Sequence, residues 1–469
     1  MMFLRKMYWY VSAYVHKHGL LIFSAVVMGA ILFSVFYRVL LSVSQFKKTT
    51  HVGRVGSVTL ATIPRDIQDK ISNGLTTLDD AGNPTPDLAE RWSVEDDGKT
   101  YRFILRKGLK WHDGKELQPE DIVYNFTDTQ VVITKNEVIF KLKEAFSPFP
   151  MVVSQPMFRE VRKRKWLIFS NASILGTGQY KVVQMKNEGG QVREIEIESQ
   201  YERFVYRFYP TEERAILAYK RGEVDLLEDM SGIDALQTWS RTTITTSVRK
   251  DQYIAVFFNV GNELFEKTVR QALNYASQKP IGEEHVETPI DPRSWAYNKT
   301  VKEYPYDRAK AVSLLLRSVP KQRLNIELTT AVQFQRDAES IEAQWEELGK
   351  VAAVACRQSK DTNKNDCPNL EIDVQLKVSN APDIHNFQAL LVAQQIPPDP
   401  DQYFLWHSTQ QTNFMRYLNP HVDKLLEDGR KLLDRKERRD AYLDFQQILA
   451  EDSPAIFLRH PIVYTIKRR

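Results

Sequence analysis

The sequence predicts an α/β protein with two or three lobes, preceded by one membrane-spanning helix. The chain has 469 residues, enough for several separate hydrophobic cores. After residue 57, short runs with the spacing of strands alternate with stretches that have helical spacing. Near the start, about 18 apolar or small residues follow one another from 20 to 37, the minimum expected for a helix that crosses a bilayer.

The N-terminal segment is predicted to be an uncleaved anchor. We divide it into a basic head (1–19), a transmembrane segment (20–43) and a polar linker (44–56). A cleaved signal peptide is the alternative, but the apolar stretch is long, and the best cleavage candidate, Ser42-Val43-Ser44, is a poor A-x-A site. Basic residues on the two sides are similar in number, so they do not determine the orientation.

The formal charge of +4 is concentrated at the N-terminus. Residues 1–50 contain six Lys or Arg and no Asp or Glu, so the remainder has a formal charge of −2. This near-neutral balance gives no indication of a nucleic-acid partner. We interpret the basic run at 162–165 as a solvated surface rather than as a phosphate or lipid-headgroup site.

The segment 86–126 carries dense turn, strand and helix signals. Asp97-Gly98 and Asp113-Gly114 are turn dipeptides, because Gly adopts the positive φ of tight turns. Between them, 100–105 has the alternation of a strand. Pro119 is predicted to begin a helix, since the first helical position needs no N–H group.

Further strands are predicted where β-branched and aromatic residues lie between turn signals. They are expected at 57–63, 180–185, 192–197, 204–209, 253–259, 324–329 and 373–378.

Further helices are predicted from apolar residues at helical spacing and from capping residues. At 211–221, Thr211 is suited to cap the first turn and Gly222 to end the helix. The other helices are expected at 136–145, 265–277, 308–316, 334–348 (ending at Gly349), 421–433 and 436–452.

The only two cysteines, Cys356 and Cys367, flank a polar loop. Outside the cytosol, a disulfide between them would close this loop and add on the order of 3 kcal/mol in the chain-entropy model. Two free thiols are the alternative in a reducing compartment. We expect no metal site here, because no His lies close in sequence and two Cys are an incomplete ligand set.

Several short elements occur in an order that resembles one family. Besides 86–126, they lie at 71–79, 174–181, 222–226, 295–297, 304–309 and 396–404. The second of them, Gly176-Thr177-Gly178, lacks the third Gly and the Lys-Ser/Thr of a phosphate-binding loop, so we interpret it as a turn. In this order, the elements resemble the family 5 extracellular solute-binding proteins, the oligopeptide, dipeptide and nickel receptors of ABC importers.

The resemblance implies a two-lobed, periplasmic-binding-protein-like fold of type II, cluster C. Lobe I would comprise 57–252, with an extra subdomain near 80–170, lobe II would comprise 253–457, and 458–469 would return to lobe I. The ligand would bind between the lobes. Ligand contacts to both lobes would then shift the population toward a closed form.

The residues expected to bind the ligand depart from the family pattern. In the family's peptide receptors, a carboxylate three residues before the Asp-Pro pair holds the peptide ammonium; here that position is Ile396. A buried ammonium without a counter-charge costs several kcal/mol. Either Asp399 or Asp401 takes this role, or the ligand is not a peptide with a free amino group. We favour the second alternative.

The resemblance places six candidate ligand-binding residues beside the cleft. They are Asn73, Asp399, Asp401, Tyr403, Trp406 and His407. For the last three, packing in the core or at the surface is an equally strong interpretation.

The sequence thus predicts a membrane-anchored receptor on the extracellular or periplasmic side. It would capture a peptide or peptide-like solute and deliver it to the permease subunits of an ABC importer. The alternative is a membrane-tethered interaction or assembly protein with a degenerate solute-binding fold. We expect no enzyme, cofactor, metal or nucleic-acid partner, because the sequence lacks G-x-S-x-G, H-E-x-x-H and P-loop motifs and its His residues do not cluster.

Overall fold

Helices and strands alternate along the chain in the computed structural model, which describes residues 2–43, 47–165, 169–282, 284–359 and 364–469. The helices in these ranges are α1 Met2–Val43, α2 Arg65–Ile71, α3 Phe149–Val152, α4 Glu212–Arg221, α5 Lys267–Ala276, α6 Arg308–Arg317, α7 Gln335–Gln358, α8 Tyr403–Trp406, α9 Pro420–Lys431 and α10 Arg435–Asp452.

The strands in the same ranges form five sheets. They are β1 Lys48–Val55, β2 Thr76–Leu78, β3 Pro84–Pro86, β4 Ala89–Glu95, β5 Thr100–Leu105, β6 Thr129–Ile133, β7 Glu137–Leu142, β8 Arg159–Lys165, β9 Phe169–Leu175, β10 Lys181–Glu188, β11 Gln191–Glu198, β12 Glu202–Tyr209, β13 Leu226–Met230, β14 Thr242–Val248, β15 Gln252–Phe258, β16 Leu324–Ala331, β17 Ile372–Ser379, β18 Ala389–Gln395, β19 Ala455–Arg459 and β20 Ile462–Arg468.

A seven-stranded mixed sheet organises what we call the first lobe. Its strand order is β10-β11-β12-β1-β13-β20-β14, and β1 runs parallel to both of its neighbours. An antiparallel sheet of order β4-β5-β7-β6 and the hairpins β2-β3 and β8-β9 complete this lobe. Aromatic rings fill the core beside the four-stranded sheet, with the ring centroids of Phe140 and Phe149 5.1 Å apart.

A five-stranded sheet of order β17-β16-β18-β15-β19 organises what we call the second lobe. Successive side chains of a strand point to opposite faces, so the central strand β15 supplies two separate cores. Its Val256 and Phe258 pack with residues of α5, α6 and α7, whereas Ala255 and Phe257 pack with residues of α9 and α10. The helices therefore cover both faces of this sheet.

The chain crosses between the two large sheets twice, from β14 to β15 and from β19 to β20. The two crossings lie side by side. The backbone N–H of Arg249 donates to the carbonyl of Pro461 at 2.9 Å, and His460 Nδ1 donates to the carbonyl of Gln252 at 2.6 Å. These hydrogen bonds join the two crossings to each other.

Most of the predicted elements are confirmed. Helix α4 begins after Thr211, whose hydroxyl accepts the N–H of Arg214 at 3.4 Å, and ends at Gly222. Also confirmed, with small differences at their ends, are the strands predicted at 100–105, 180–185, 192–197, 204–209, 253–259, 324–329 and 373–378 and the helices predicted at 265–277, 308–316, 421–433 and 436–452.

The beginning of the folded part was predicted wrongly. The segment assigned to a linker contains strand β1, which pairs with β12 and β13 in the middle of the first sheet. The strand predicted at 57–63 is instead a 3₁₀ turn at Leu60–Thr62, because the Thr62 hydroxyl accepts the N–H of Thr59 at 2.8 Å and fixes a bend. The first three residues of the predicted linker, 44–46, lie outside the described residues.

Two helices predicted in the first lobe are also wrong. The stretch 136–145 forms strand β7, because Val138 and Phe140 are needed in the core beside β5. Pro119 begins only one 3₁₀ turn, Pro119–Asp121. The Asp121 carboxylate accepts the N–H of Gln118 and the indole N–H of Trp111, each at 3.0 Å, and this closes the turn locally.

Helix α7 is longer than predicted, since it continues through Gly349 to Gln358. Gly349 does not end the helix but permits its close approach to β17. A Cβ built at this position would lie 2.9 Å from the Cβ of Ile372 and closer still to its backbone nitrogen. The absence of a side chain at Gly349 therefore sets the distance between α7 and the sheet.

Cys356 and Cys367 form a disulfide, with their Cα atoms 5.6 Å apart. Both side chains are fully buried. The bond joins the last turns of α7 to the 3₁₀ segment Lys364–Leu370.

Helix α1 keeps apolar side chains such as Trp9, Leu20 and Phe23 largely exposed. Within the described residues, no single helix is long and apolar enough to cross a membrane. Helix α1 contains a 60° bend between two segments, Met7–Leu21 and Phe23–Ser34. Together, these two segments have the necessary length and composition. The single span predicted at 20–43 therefore stays a prediction. The side chains of the basic run at 162–165 lie outside the described residues.

Candidate functional site

A cavity of about 530 Å³ lies between the two lobes. The first lobe contributes α2, the end of β2 and the segment around α3, whereas the second lobe contributes the segment from Pro397 to Phe404. This volume falls in the range of ligand pockets.

Helix α2 supplies the polar part of the first-lobe wall. Arg65, Gln68 and Asp69 line the cavity together, because residues three and four apart lie on one face of a helix. Arg65 Nε donates to Asp69 Oδ1 at 2.7 Å, and Arg65 Nη2 donates to the carbonyl of Ser154 at 2.7 Å. The one guanidinium of this wall is therefore already paired.

The rest of the first-lobe wall is mainly apolar. Leu78, Phe146, Met151 and Val152 line it, together with Pro148. Met151 and Val152 belong to the short helix α3, whose side chains bridge the lobe core and the cavity.

The second-lobe wall is a tightly turned segment. Asp399 Oδ1 accepts the N–H of Asp401 at 2.9 Å, and Asp401 Oδ1 accepts the N–H of Tyr403 at 3.1 Å. Such side-chain to backbone bonds are typical of aspartate-rich turns. They place both carboxylates and the exposed ring of Phe404 at the cavity.

Each of these aspartates has an arginine partner from α9 or α10. Arg430 Nε donates to Asp401 Oδ2 at 3.0 Å. Arg438 Nη2 donates to Asp399 Oδ1, and Arg438 Nε donates to the carbonyl of Gly429 at 2.7 Å. Burial raises the pKa of the Asp401 carboxyl above its ordinary value, although the charge of Arg430 opposes this shift.

The two lobes touch each other beside the cavity. The N–H of Ser147 donates to the carbonyl of Arg430 at 2.7 Å. The Arg430 guanidinium also lies over the ring of Phe146, 4.9 Å from its centroid. Farther along, Arg435 Nη2 donates to Asn83 Oδ1 at 2.9 Å. The structure thus has the lobes in direct contact beside the cavity.

The structure brings Asp399 and Asp401 to the cavity but not the other four predicted site residues. Tyr403 lies behind the wall, with its ring centroid 4.2 Å from both the His407 ring and the Arg430 guanidinium. Trp406 is fully buried in the second-lobe core. His407 is buried as well, and its Nδ1 lies 2.9 Å from the Thr409 hydroxyl.

The side chain of Asn73 makes hydrogen bonds inside the first lobe. Its Nδ2 donates to Asp87 Oδ2 at 2.8 Å, and its Oδ1 accepts the hydroxyl of Thr177 at 3.0 Å. Asn73 thereby ties the end of α2 to the Gly-Thr-Gly element. Ile396 packs in the second-lobe core and does not line the cavity.

Sequence reasoning missed the partners and the apolar wall. Arg430 and Arg438 gave no signal, because nothing in the sequence relates them to aspartates about 30 to 40 residues earlier. Phe146 and Met151 lie in a proline-containing stretch without clear periodicity. Phe404, an aromatic residue three positions after Asp401, was the available signal for a wall residue.

Among the residues that the structure describes, no group of three or more His, Cys, Asp or Glu side chains is placed to hold a metal ion.

The family described as bacterial extracellular solute-binding proteins, family 5 Middle, matches residues 83–415. The oligopeptide-binding protein AppA of Bacillus subtilis (strain 168) is 25% identical in an alignment 464 positions long, and the alignment covers 84% of this chain and 82% of that protein. The dipeptide-binding protein of Escherichia coli (strain K12) is 23% identical in an alignment 457 positions long, and the alignment covers 82% of each chain.

The solved structure of AppA from Bacillus subtilis in complex with a nonapeptide has the same fold. It matches with a TM-score of 0.65 at 21% identity and covers 90% of this chain and 95% of that chain. This likeness confirms the mixed α/β fold predicted from the sequence.

Proposed function

Because this chain belongs to the family 5 bacterial extracellular solute-binding proteins, we propose that it captures a peptide or peptide-like solute between its two lobes. The observation that carries this proposal is the cavity of about 530 Å³, whose walls come from both lobes. A ligand that contacts both walls stabilises the state in which the lobes are together. The relatives named above as oligopeptide- and dipeptide-binding proteins support a peptide-like ligand.

The proposed division of the chain supports capture by closure. Lobe I, which takes in β1 as well as the predicted range 57–252, and lobe II (253–457) would move about the two adjacent crossings, and 458–469 would return to lobe I. A few residues at such crossings absorb the change in backbone angles during closure. The hydrogen bonds of Arg249 and His460 between the crossings would make the two bend together.

We further propose that the closed form delivers its solute to the permease subunits of an ABC importer. In this proposal the N-terminal segment anchors the chain in the membrane, with the receptor part on the extracellular or periplasmic side. The apolar, exposed surface of α1 supports an anchor. The bent pair Met7–Leu21 and Phe23–Ser34 would be the part in the bilayer.

The test uses the purified full-length chain in detergent and a pool of short peptides. Binding at one hundred times the dissociation constant stabilises the folded protein by about 2.7 kcal/mol, so the thermal midpoint should rise. Val152→Trp fills the cavity from the first-lobe wall and should abolish the rise. The control Val354→Trp changes an exposed position on α7 and should keep it.

Mass spectrometry of extracts from the same preparation identifies any solute that remains bound. Short peptides would support the proposal, whereas a single non-peptide compound would replace the ligand class. An unchanged midpoint with every peptide and an empty extract would contradict capture and favour an interaction or assembly protein.

A further inference from the structure

Every charged side chain that lines the cavity is paired with an opposite charge. Arg65, Asp69, Asp399 and Asp401 are the charged members of the lining among the described residues. Asp69 pairs with Arg65 inside the lining, and the other two aspartates pair with arginines behind it. Three carboxylates therefore face three guanidinium groups, and the cavity has no net charge to offer a ligand.

The two pairs of the second lobe are poorly hydrated. The side chains of Asp399 and Arg438 are 10% and 9% exposed, and those of Asp401 and Arg430 are 8% and 20% exposed. Breaking a buried pair is strongly unfavourable, because it leaves an uncompensated charge. A ligand ammonium that displaced the arginine from either aspartate would impose this cost.

The surroundings of Asp401 are desolvated. Burial raises the pKa of this carboxyl even with Arg430 beside it. The same desolvation acts on any charged group of a ligand that enters.

The uncharged part of the lining suits amide groups and apolar side chains. Leu78, Met151 and Phe404 present apolar surface from both lobes. The amides of Gln68 and Gln155 and the hydroxyl of Thr77 can exchange hydrogen bonds with peptide groups.

We propose that the cavity selects peptide-like solutes whose enclosed part is uncharged and apolar, such as short peptides with blocked termini. This inference rests on the proposed function, because it specifies the ligand class of that same cavity. The competing arrangement is a zwitterionic peptide that inserts its ammonium at Asp401 and its carboxylate at Arg430. Our proposal requires a peptide with blocked termini to bind more tightly than the same peptide with free termini. The competing arrangement requires the peptide with free termini to bind more tightly.

The experiment measures binding of four tripeptides to the full-length chain in detergent by calorimetry. The probes are Ala-Leu-Phe with both termini free, its N-acetyl form, its C-terminal amide, and the form with both termini blocked. We expect the doubly blocked peptide to bind at least about tenfold more tightly than the free peptide, a difference of about 1.4 kcal/mol.

Free peptide that binds as tightly as the doubly blocked one, or more tightly, overturns the inference and leaves the proposed function intact. No binding by any of the four, together with no midpoint shift in the peptide pool, overturns both.

The variant Arg430→Gln tests whether the pairing is the cause. This variant removes the partner of Asp401. The C-terminal amide, which keeps a free ammonium, should therefore bind the variant at least about tenfold more tightly than it binds the natural chain. Lys431→Gln, an exposed change at the next position, should leave its affinity unchanged. Equal affinity of the amide form for Arg430→Gln and the natural chain overturns the inference. If Arg430→Gln does not fold, the four-peptide series on the natural chain decides by itself.

Discussion

Arg438 is the residue on which the second-lobe wall of the cavity depends most directly. It bonds to the Asp399 carboxylate and to the carbonyl of Gly429, and its guanidinium carbon lies 5.4 Å from the ring centroid of Trp295. It therefore joins the Asp-Pro-Asp turn to both α9 and the core.

We expect Arg438→Ala to lower the free energy of unfolding by about 3–5 kcal/mol, because it leaves Asp399 buried without a counter-charge. Urea unfolding measures this change. Arg439→Ala alters the neighbouring exposed position and should stay within about 0.5 kcal/mol of the natural chain. In the background of Asp399→Asn, the loss caused by Arg438→Ala should shrink. A full loss in that background would mean that Arg438 acts through packing rather than through the ion pair.

At the scale of residues, the sequence led to two side chains that line the cavity. The Asp-Pro-Asp motif led to Asp399 and Asp401, which line the cavity. It could not reveal that Arg430 and Arg438 neutralise them, since ion pairs between distant positions depend on the packing of α9 and α10. Trp406 and His407 follow the same motif, but the turn of α8 directs them into the core.

At the scale of elements, predictions succeeded where local signals are sufficient. Thr211 and Gly222 mark the two ends of α4. The periodic apolar residues of α5 lie on the buried face of that helix. The predictions failed where pairing between strands determines the structure. Strand β7 has a composition compatible with a helix, and only its neighbours β5 and β6 make it extended.

The contact between α7 and β17 gives a prediction at this scale. We expect Gly349→Ala to destabilise the protein by about 1–3 kcal/mol, because the new methyl group overlaps the backbone of Ile372 and forces helix and sheet apart. The thermal midpoint should fall accordingly. Lys350→Ala, one residue later on the exposed side of α7, should leave it nearly unchanged. An unchanged midpoint in Gly349→Ala would show that α7 can shift without cost.

At the scale of the whole molecule, His460 links the two crossings between the lobes. It is fully buried and donates Nδ1–H to the carbonyl of Gln252. Burial lowers the pKa of His460, and the hydrogen bond to Gln252 opposes this shift only in part. The folded protein therefore keeps this imidazole neutral at a pH at which the unfolded chain already takes up a proton.

The sign of the resulting pH dependence follows from linkage. Below the ordinary His pKa of about 6.5, the unfolded state binds the extra proton, so stability should fall as the pH decreases from about 7.5 to 5.5. His460→Asn keeps a donor for Gln252 but cannot titrate, and should make this slope shallower by at most about 1.4 kcal/mol per pH unit. Urea unfolding at several pH values measures the slope, and exposed His385→Asn is the control. Identical slopes in His460→Asn and the natural chain would contradict a neutral buried His460.

The position of β20 has a consequence for how the molecule is made. This strand lies between β13 and β14 in the first sheet, although some 200 residues of the second lobe separate it from them in the chain. At 5–20 residues per second, translation of that interval takes roughly 10–40 s. Until β20 emerges, β13 and β14 each present an unpaired edge to other nascent chains. The first lobe is therefore begun first but completed last.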